Sequence, residues 1–428
     1  MIKKINSFLS FLLIFEWHMF GVDPQHTQNS ALVFPSSSFK LAWNFHAGDH
    51  IWSHTSRRSV WSSSGVAAEI DGTMRFFIGS YTNNVFCLEA ETGKELWRFP
   101  SGGPVNAAPV FFRAGDKAFV IAVSSDRIIY CLDARTGEKV WSYEVYPWKF
   151  TVFEAVSTSP IVIVSGNTRQ LIVSLWYADR KPLKNIQKGE VIALNAVDGT
   201  VSWRKTVSDS YIFSPAFAEI DGSRYLYISS SDGVMYCLAF LDGTQIWKFS
   251  SSVPLSSSPL ITKTKARDVV IAGTPFGILY CLDAKNGKKV WEYKAGMNIV
   301  NTGCVCPIDG RNVLFVPSFD RFLHCIDVNT GTMLWRFETK KYIASSPIGI
   351  KIGDVFAVIV ASLDNNLYCL DARSGKVLWQ FSLGKRLWAF ETRAETLWPS
   401  PIALSLSNKT PFLIVPWYDG SIYAFTVS

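Results

Sequence analysis

Three glutamates, Glu154, Glu391 and Glu395, are the residues of this chain best placed for acid and base chemistry. Glu391 and Glu395 stand four apart in the segment GKRLWAFETRAETLW (384–398). Two carboxylates can divide the acid and base roles when burial separates their pKa values. His46, His50 and His54 also recur at intervals of four, the ligand spacing of a helix. They span a strand end and a loop instead, so solvated or hydrogen-bonded imidazoles are expected there and no metal site. No G-x-S-x-G, H-E-x-x-H or phosphate-cradling glycine loop is present, and no C-x-x-C-H or zinc spacing. Glu154, Glu391, Glu395 and His54 are therefore the candidates for catalysis, and their spacing alone selects no reaction.

The same segments are richer in recognition chemistry. AGDHIWSHTSRRSVW (47–61) carries Trp52, His54, Arg57, Arg58 and Trp61, and VYPWKFTVFEAV (145–156) carries Trp148, Lys149 and Glu154. The third segment adds Trp388, Glu391, Arg393, Glu395 and Trp398, and DRKPLKNIQKG (179–189), a long B-to-C loop in blade 3, is a fourth insertion. Aromatics interleaved with paired charges are the composition of recognition surfaces, and these residues form the candidate binding face. The competing reading is that each loop folds back on its own tryptophans, with the charges as solvated ion pairs.

These segments interrupt a repeat, and the repeat must position them. One phrase recurs seven times, from VFCLEAETGKELW ending at Trp97 to LYCLDARSGKVLW ending at Trp379, and Trp203, Trp247, Trp291, Trp335 and Trp379 stand 44 residues apart. Repeats of about 40–50 residues built only of short strands indicate propeller blades, because one small sheet buries neither face until neighbours stack on it. The copy over 344–383 divides into ASSPIGI, VFAVIVAS, NLYCLDA and KVLWQFS, which are strands A to D from the central channel outwards. After Trp379 come WPSPIAL, PFLIVPW and SIYAFTV without a D strand, while LAWNF (41–45) is a D strand without its A to C. Joined, they make an eighth blade and leave no open sheet edge at the termini. The expectation is a single all-β, eight-bladed propeller of four antiparallel strands per blade over 37–428, preceded by a signal-like or disordered segment, 1–36.

Recurrence at one phase assigns local fold tasks. The tryptophans are expected to pack on the next blade. Asp133, Asp283, Asp327 and Asp371, four residues before the turn glycines, are expected to cap turn amides. His324 stands where other blades have Tyr130, Tyr236, Tyr280 and Tyr368 and substitutes for a core aromatic. Ser64, Ser159, Ser214, Ser258, Ser346 and Ser400 begin the A strands, where converging strands require small side chains. Six of the eight cysteines share one C-strand position, too far apart between blades to bond. Cys304 and Cys306 are expected on opposite faces of an A strand, unpaired.

In such a sheet the D-to-A connectors and B-to-C loops leave on one face and the C-to-D turns on the other. All four insertions therefore belong to the same face. The formal charge of +7 over 428 residues is mild, and no basic stretch is interleaved with stacking aromatics, so nucleic acid is not an expected partner. MIKKINSFLSFLLIF (1–15) has the basic start and short apolar run of an export signal but no cleavage site after it, and the run is too short to span a bilayer. Export, to a periplasm for example, is favoured. The many unpaired thiols keep a cytoplasmic location as the alternative.

The repeated C-to-D phrase with its tryptophan, together with WHMFGVDPQHT (17–27), resembles the pyrroloquinoline-quinone-binding-like β-propeller repeat family over nearly the whole chain. That resemblance implies a propeller and leaves activity open, because members include quinone-dependent alcohol dehydrogenases and a non-catalytic scaffold of outer-membrane protein assembly. The dehydrogenases carry two adjacent cysteines beside the quinone, where this chain offers only Cys304-Val305-Cys306, and their calcium ligands have no matching motif here. The favoured expectation is a cofactor-free, monomeric binding scaffold for a protein or peptide. The alternative is an enzyme with its site at the channel mouth, acting on a small molecule either through pyrroloquinoline quinone with calcium or through the rim carboxylates.

Overall fold

The computed structural model describes residues 29–35, 39–46, 64–146, 158–181, 184–299, 301, 303–383, 400–405, 410–417 and 421–427. Every secondary-structure element among them is a strand. They build eight sheets of four antiparallel strands, seven in sequence order and one whose outer strand is supplied from the N-terminal side; one of the seven gains a fifth strand in parallel, and the A strands of successive sheets approach one another around a common centre. Blade 1 runs from Val66–Ile70 to Glu95–Pro100, and blade 7 from Ile348–Ile352 to Val377–Ser382. Blade 8 is completed as expected: Phe39–His46 pairs antiparallel with the C-terminal strand Ser421–Val427, Phe39 opposite Val427 and His46 opposite Ser421.

The tryptophan phase has one geometric meaning at seven seams. Each indole Nε1 donates to a backbone carbonyl in the C-to-D turn of the next blade: Trp43 to Ala90, Trp97 to Ala134, Trp141 to Ala196, Trp203 to Phe240, Trp247 to Ala284, Trp291 to Val328 and Trp335 to Ala372. The indole lies flat on the turn glycine, so close that a Cβ built on Gly287 (φ +71°) would stand 2.5 Å from Trp247 Cε3. These glycines serve two purposes, a left-handed backbone and a floor for the neighbour's ring.

Trp379 is the exception, because blade 8 has its chain break where the turn would be. Its ring packs instead on Phe39 and Phe425, with centroids 5.0 and 5.5 Å away. Phe39 in turn meets Phe34, 5.2 Å away and fully buried. Phe34 ends a strand, Asn29–Phe34, that pairs in parallel with strand A of blade 7 on the channel side. The propeller thus recruits chain upstream of the expected start at residue 37. Phe34 supplies the apolar plug that the closing seam lacks, and its carbonyl accepts from Gly353 N at 2.7 Å.

On the face of the C-to-D turns, adjacent blades are also cross-linked by charge. Asp71, Asp221 and Asp309, at A-to-B turns, pair with Arg135, Lys285 and Arg373 of the following blade. All three pairs are exposed, and solvent screening leaves such pairs little weight in stability. At the seam of blades 3 and 4 the equivalent basic position is Leu241, and a cavity of about 380 Å³ lies between Ile163, Gln170, Arg224 and Phe240.

Candidate functional site: the loop-bearing face

Strand direction fixes which loops share a face. The D-to-A connectors containing 47–63, 147–157 and 384–399 and the B-to-C connection of blade 3 all leave from the face opposite the charged turn pairs. Trp52, His54, Arg57, Arg58, Trp61, Trp148, Lys149, Glu154, Trp388, Glu391, Arg393, Glu395 and Trp398 lie outside the described residues, as does His50. Their strand anchors are described. His46, at the end of the closing D strand, contacts Ser421 Oγ through Nδ1 at 3.2 Å.

The floor beneath these connectors is a belt of serines. Ser159 Oγ accepts from Ala108 N, Ser214 Oγ from Ser159 N, Ser400 Oγ from Ser346 N, and Ser64 Oγ from Ser400 N, at 2.9–3.1 Å. The last bond spans the closure between blades 8 and 1. Small size was the expected reason for serine; the added reason at Ser64, Ser159, Ser214 and Ser400 is that the hydroxyl ties one blade's backbone to the next, whereas the buried Ser346 Oγ has no hydrogen-bond partner among the described residues.

A second tie holds the face in regular blades. Asp126, Asp232 and Asp364, in B-to-C turns, accept from the tyrosine four residues on, Tyr130 at 2.7 Å, Tyr236 at 3.2 Å and Tyr368 at 2.8 Å. Asp126 and Asp364 also accept from the backbone of the preceding connector, at Gly102 N and Lys340 N. His324 keeps this geometry in blade 6: Nε2 lies 2.9 Å from Asp320 Oδ2, Nδ1 faces Tyr293 OH at 2.9 Å, and Gly296 N donates to Asp320. His324 is therefore a core aromatic that also completes the aspartate tie. Burial pushes the Asp320 carboxyl up, but the bonds from His324, Gly296 and Phe322 outweigh it and hold the group below the ordinary carboxylate range.

Blade 3 departs from this pattern. Its B and C strands, Thr168–Lys181 and Lys184–Asn195, are about twice the length of those in blade 4, Ser223–Ser229 and Val234–Ala239. The B-to-C loop expected over 179–189 is a continuation of both strands, paired up to Lys181 opposite Lys184. At its root sits a buried carboxylate, Glu190. Its Oε2 accepts from Tyr146 OH at 2.7 Å and Arg204 Nε at 2.8 Å, and its Oε1 from Thr206 Oγ1 at 3.1 Å and Tyr177 OH at 3.5 Å. Arg204 also donates to Val145 O and stacks 4.5 Å over the Tyr146 ring. Burial pushes the Glu190 carboxyl up, yet the Tyr146 and Arg204 hydrogen bonds prevail and keep it below its ordinary value. Burial, and then the bond to Glu190, pushes the Tyr146 phenol well above its own. Sequence reading missed this network. The signal was available, because Glu190 stands where Ile128, Val234 and Ile278 stand in other blades.

The turn-capping aspartates act as expected, Asp133 accepting from Arg135 N and Thr136 N, and Asp371 from Arg373 N and Ser374 N. All eight cysteines are buried thiols outside any disulfide. The placement of Cys304 and Cys306 on opposite faces is corrected. Side chains two apart on a strand share a face, and the two Sγ atoms lie 3.7 Å apart. They belong to the packed core between blades 6 and 7 with Cys325, Val358 and Val360. A thiol pair facing a blade seam does not fit a quinone held in the channel. Among the described residues no group of three or more His, Cys, Asp or Glu is arranged to hold a metal ion. Among the described residues, too, no helix is long and apolar enough to cross a membrane.

Comparison with known proteins agrees with this geometry. Residues 42–175 and 147–380 match the family model described as outer membrane protein assembly factor BamB. No curated protein sequence matches the chain. Among solved structures, europium-containing methanol dehydrogenase superposes with a TM-score of 0.71 at 13% identity, over 96% of this chain and 98% of that one. Quinohemoprotein alcohol dehydrogenase from Comamonas testosteroni gives 0.72 at 14%, over 96% and 80%. BamB from Moraxella catarrhalis gives 0.55 at 14%, over 90% and 97%. At these identities the likeness is one of fold. With the family model covering most of its length, the chain belongs to the BamB-like family of pyrroloquinoline-quinone-type β-propeller repeats.

Proposed function

We propose that this protein is a non-catalytic scaffold that presents its loop-bearing face to a protein or peptide partner. One observation supports the reading: in regular blades recurrent aspartates and serines are bonded to the fold itself, while the irregular connections leave from strand ends on a single face. A family model described as an assembly factor supports a partner-binding role. The rim residues Trp52, His54, Arg57, Arg58, Trp61, Trp148, Lys149, Glu154, Trp388, Glu391, Arg393 and Trp398 are the proposed contacts, on a monomeric, exported protein. Charge reversal of Arg57, Arg58, Lys149 and Arg393 together is expected to abolish pull-down of the native partner by the purified full chain. Undiminished capture would remove this face from the reading.

A second reading, a quinone-dependent dehydrogenase, draws support from the likeness to the two dehydrogenases. It is tested by adding pyrroloquinoline quinone and calcium to the purified protein and following dye reduction with alcohols. Sustained turnover would displace the scaffold.

A further inference from the structure

The extended hairpin of blade 3 is neither a loop nor part of the sheet it grows from. Strand A supports strand B only as far as Ile172, opposite Ile161, and strand D supports strand C only from Gly189, opposite Ser208. From Tyr177 opposite Lys188 to Lys181 opposite Lys184 the hairpin is a two-stranded ribbon beyond both neighbours. Five residues per strand carry it about 16 Å above the blade, at roughly 3.3 Å per residue. A bare ribbon of this size is marginal in water. This one stands on the Glu190 network, which gathers Tyr177 from its B strand, Glu190 from its C strand, Arg204 and Thr206 from strand D, and Tyr146 from the exit of blade 2. Burying a carboxylate beside a partly exposed guanidinium to fix one ribbon is costly, and such an ion pair is better at setting geometry than at adding stability.

The paired part of the ribbon has a one-sided composition. Arg180, Lys181, Lys184 and Lys188 are basic and Asp179 is the single acid, while Ala178 to Lys181 and Lys184 to Lys188 contain no aromatic residue. Single-stranded nucleic acid would need stacking platforms that this stretch lacks. We infer that the blade 3 ribbon is a preorganised docking arm for an acidic segment of a partner protein. The inference rests on the scaffold reading and adds to it the element and the charge of the partner.

The full chain is titrated with fluorescein-labelled decaglutamate by anisotropy, at low salt and at high salt. Two variants with the same loss of charge are compared. Arg180→Ser/Lys181→Ser/Lys184→Ser/Lys188→Ser removes the arm's cations. Lys94→Ser/Lys139→Ser/Lys288→Ser/Lys376→Ser removes exposed lysines on the opposite face. Binding is expected to weaken about tenfold or more in the arm variant, less than about threefold in the control, and to fade with salt in the wild type. The arm variant should keep the wild-type unfolding midpoint, since its changes lie beyond the supported sheet. Equal loss in both variants, or none in the arm variant, overturns the inference. So does tighter binding of an oligothymidine of equal charge, which would make the partner a nucleic acid. If reversal of Arg57, Arg58, Lys149 and Arg393 abolishes peptide binding while the arm variant binds normally, the arm is refuted and the face stands. If neither set matters, both fall.

Discussion

Two glycine-to-alanine substitutions separate the backbone role of a turn from its role as a docking floor. Gly222 and Gly287 both have left-handed backbones, φ +76° and +71°, so alanine at either costs about 1–2 kcal/mol in local strain. At Gly222 a new Cβ meets no other atom within 4 Å. At Gly287 it would lie 2.5 Å from Trp247 Cε3 and 2.9 Å from Cδ2 and Cζ3. The indole cannot slide aside without stretching its 3.1 Å bond to Ala284 O, and Trp247 is buried. Overpacking adds about 1–3 kcal/mol, and the compromised hydrogen bond about 1 kcal/mol. Gly222→Ala is thus expected to cost about 1–2 kcal/mol and Gly287→Ala about 3–6 kcal/mol, read from urea unfolding followed by tryptophan fluorescence. In a Trp247→Ala background the obstacle is gone, and Gly287→Ala should revert to the strain cost alone. If the two glycine variants differ by less than about 0.5 kcal/mol, or the double-mutant cycle shows no coupling, the indole-on-glycine account of the seams is refuted.

Other expectations follow from the same geometry. Arg204 keeps partial access to water, so Glu190→Gln should cost somewhat less than the roughly 3–5 kcal/mol of breaking a fully buried pair. Because the folded-state pKa of Glu190 is depressed, its stabilisation is present above the ordinary value of 4.5 and is lost as pH falls through the lowered one. The gap in urea midpoint between wild type and Glu190→Gln should therefore be flat near neutrality and close in acid; a gap independent of pH would contradict the network. Desolvation raises the C-strand thiols, Cys369 to about 12, and all eight cysteines are buried. A thiol-exchange reagent should leave the native protein unlabelled and modify it only on unfolding, and labelling in the native state would disprove their burial. Phe39→Ala removes the ring between Phe34 and Trp379 and should cost about 3–5 kcal/mol. Limited proteolysis should then cleave near residue 39 first, and an unchanged pattern would argue against the plug.

What was legible in the sequence is what the repeat repeats. The tryptophan phase, the turn glycines and the capping aspartates recur in blade after blade, so each copy is an independent trial of the same local physics, and the ring closure followed from two incomplete copies. What stayed hidden occurs once. Phe34 acts at the closing seam, where no C-to-D turn exists, and the parallel pairing of its strand has no second copy among the described residues to announce it. The serine belt looked like a size constraint because sequence shows a small residue but not the amide of the neighbouring blade that it satisfies. Cys304 and Cys306 were misplaced by a face error that strand periodicity alone corrects, whereas their proximity to Cys325 and to blade 7 required the packed seam.

Glu190 shows how such singular features can be found by comparing equivalent positions instead of scanning for motifs. A carboxylate at a strand position that is isoleucine or valine in neighbouring blades must either face water or be satisfied by partners, and here four side chains from two strands and an adjoining blade converge on it. The cost of that burial is incurred in the one blade whose strands outgrow their sheet. The other regular blades reach the same face with an aspartate and a tyrosine or histidine, which fasten a short turn and need no arginine. A short turn must only be closed, but a ribbon projecting beyond its neighbours must also be aimed, and a charged network with several directional bonds constrains angle in a way that an apolar contact does not. The expense at Glu190 is therefore intelligible as orientation, which is the property a docking arm needs and a connecting loop does not.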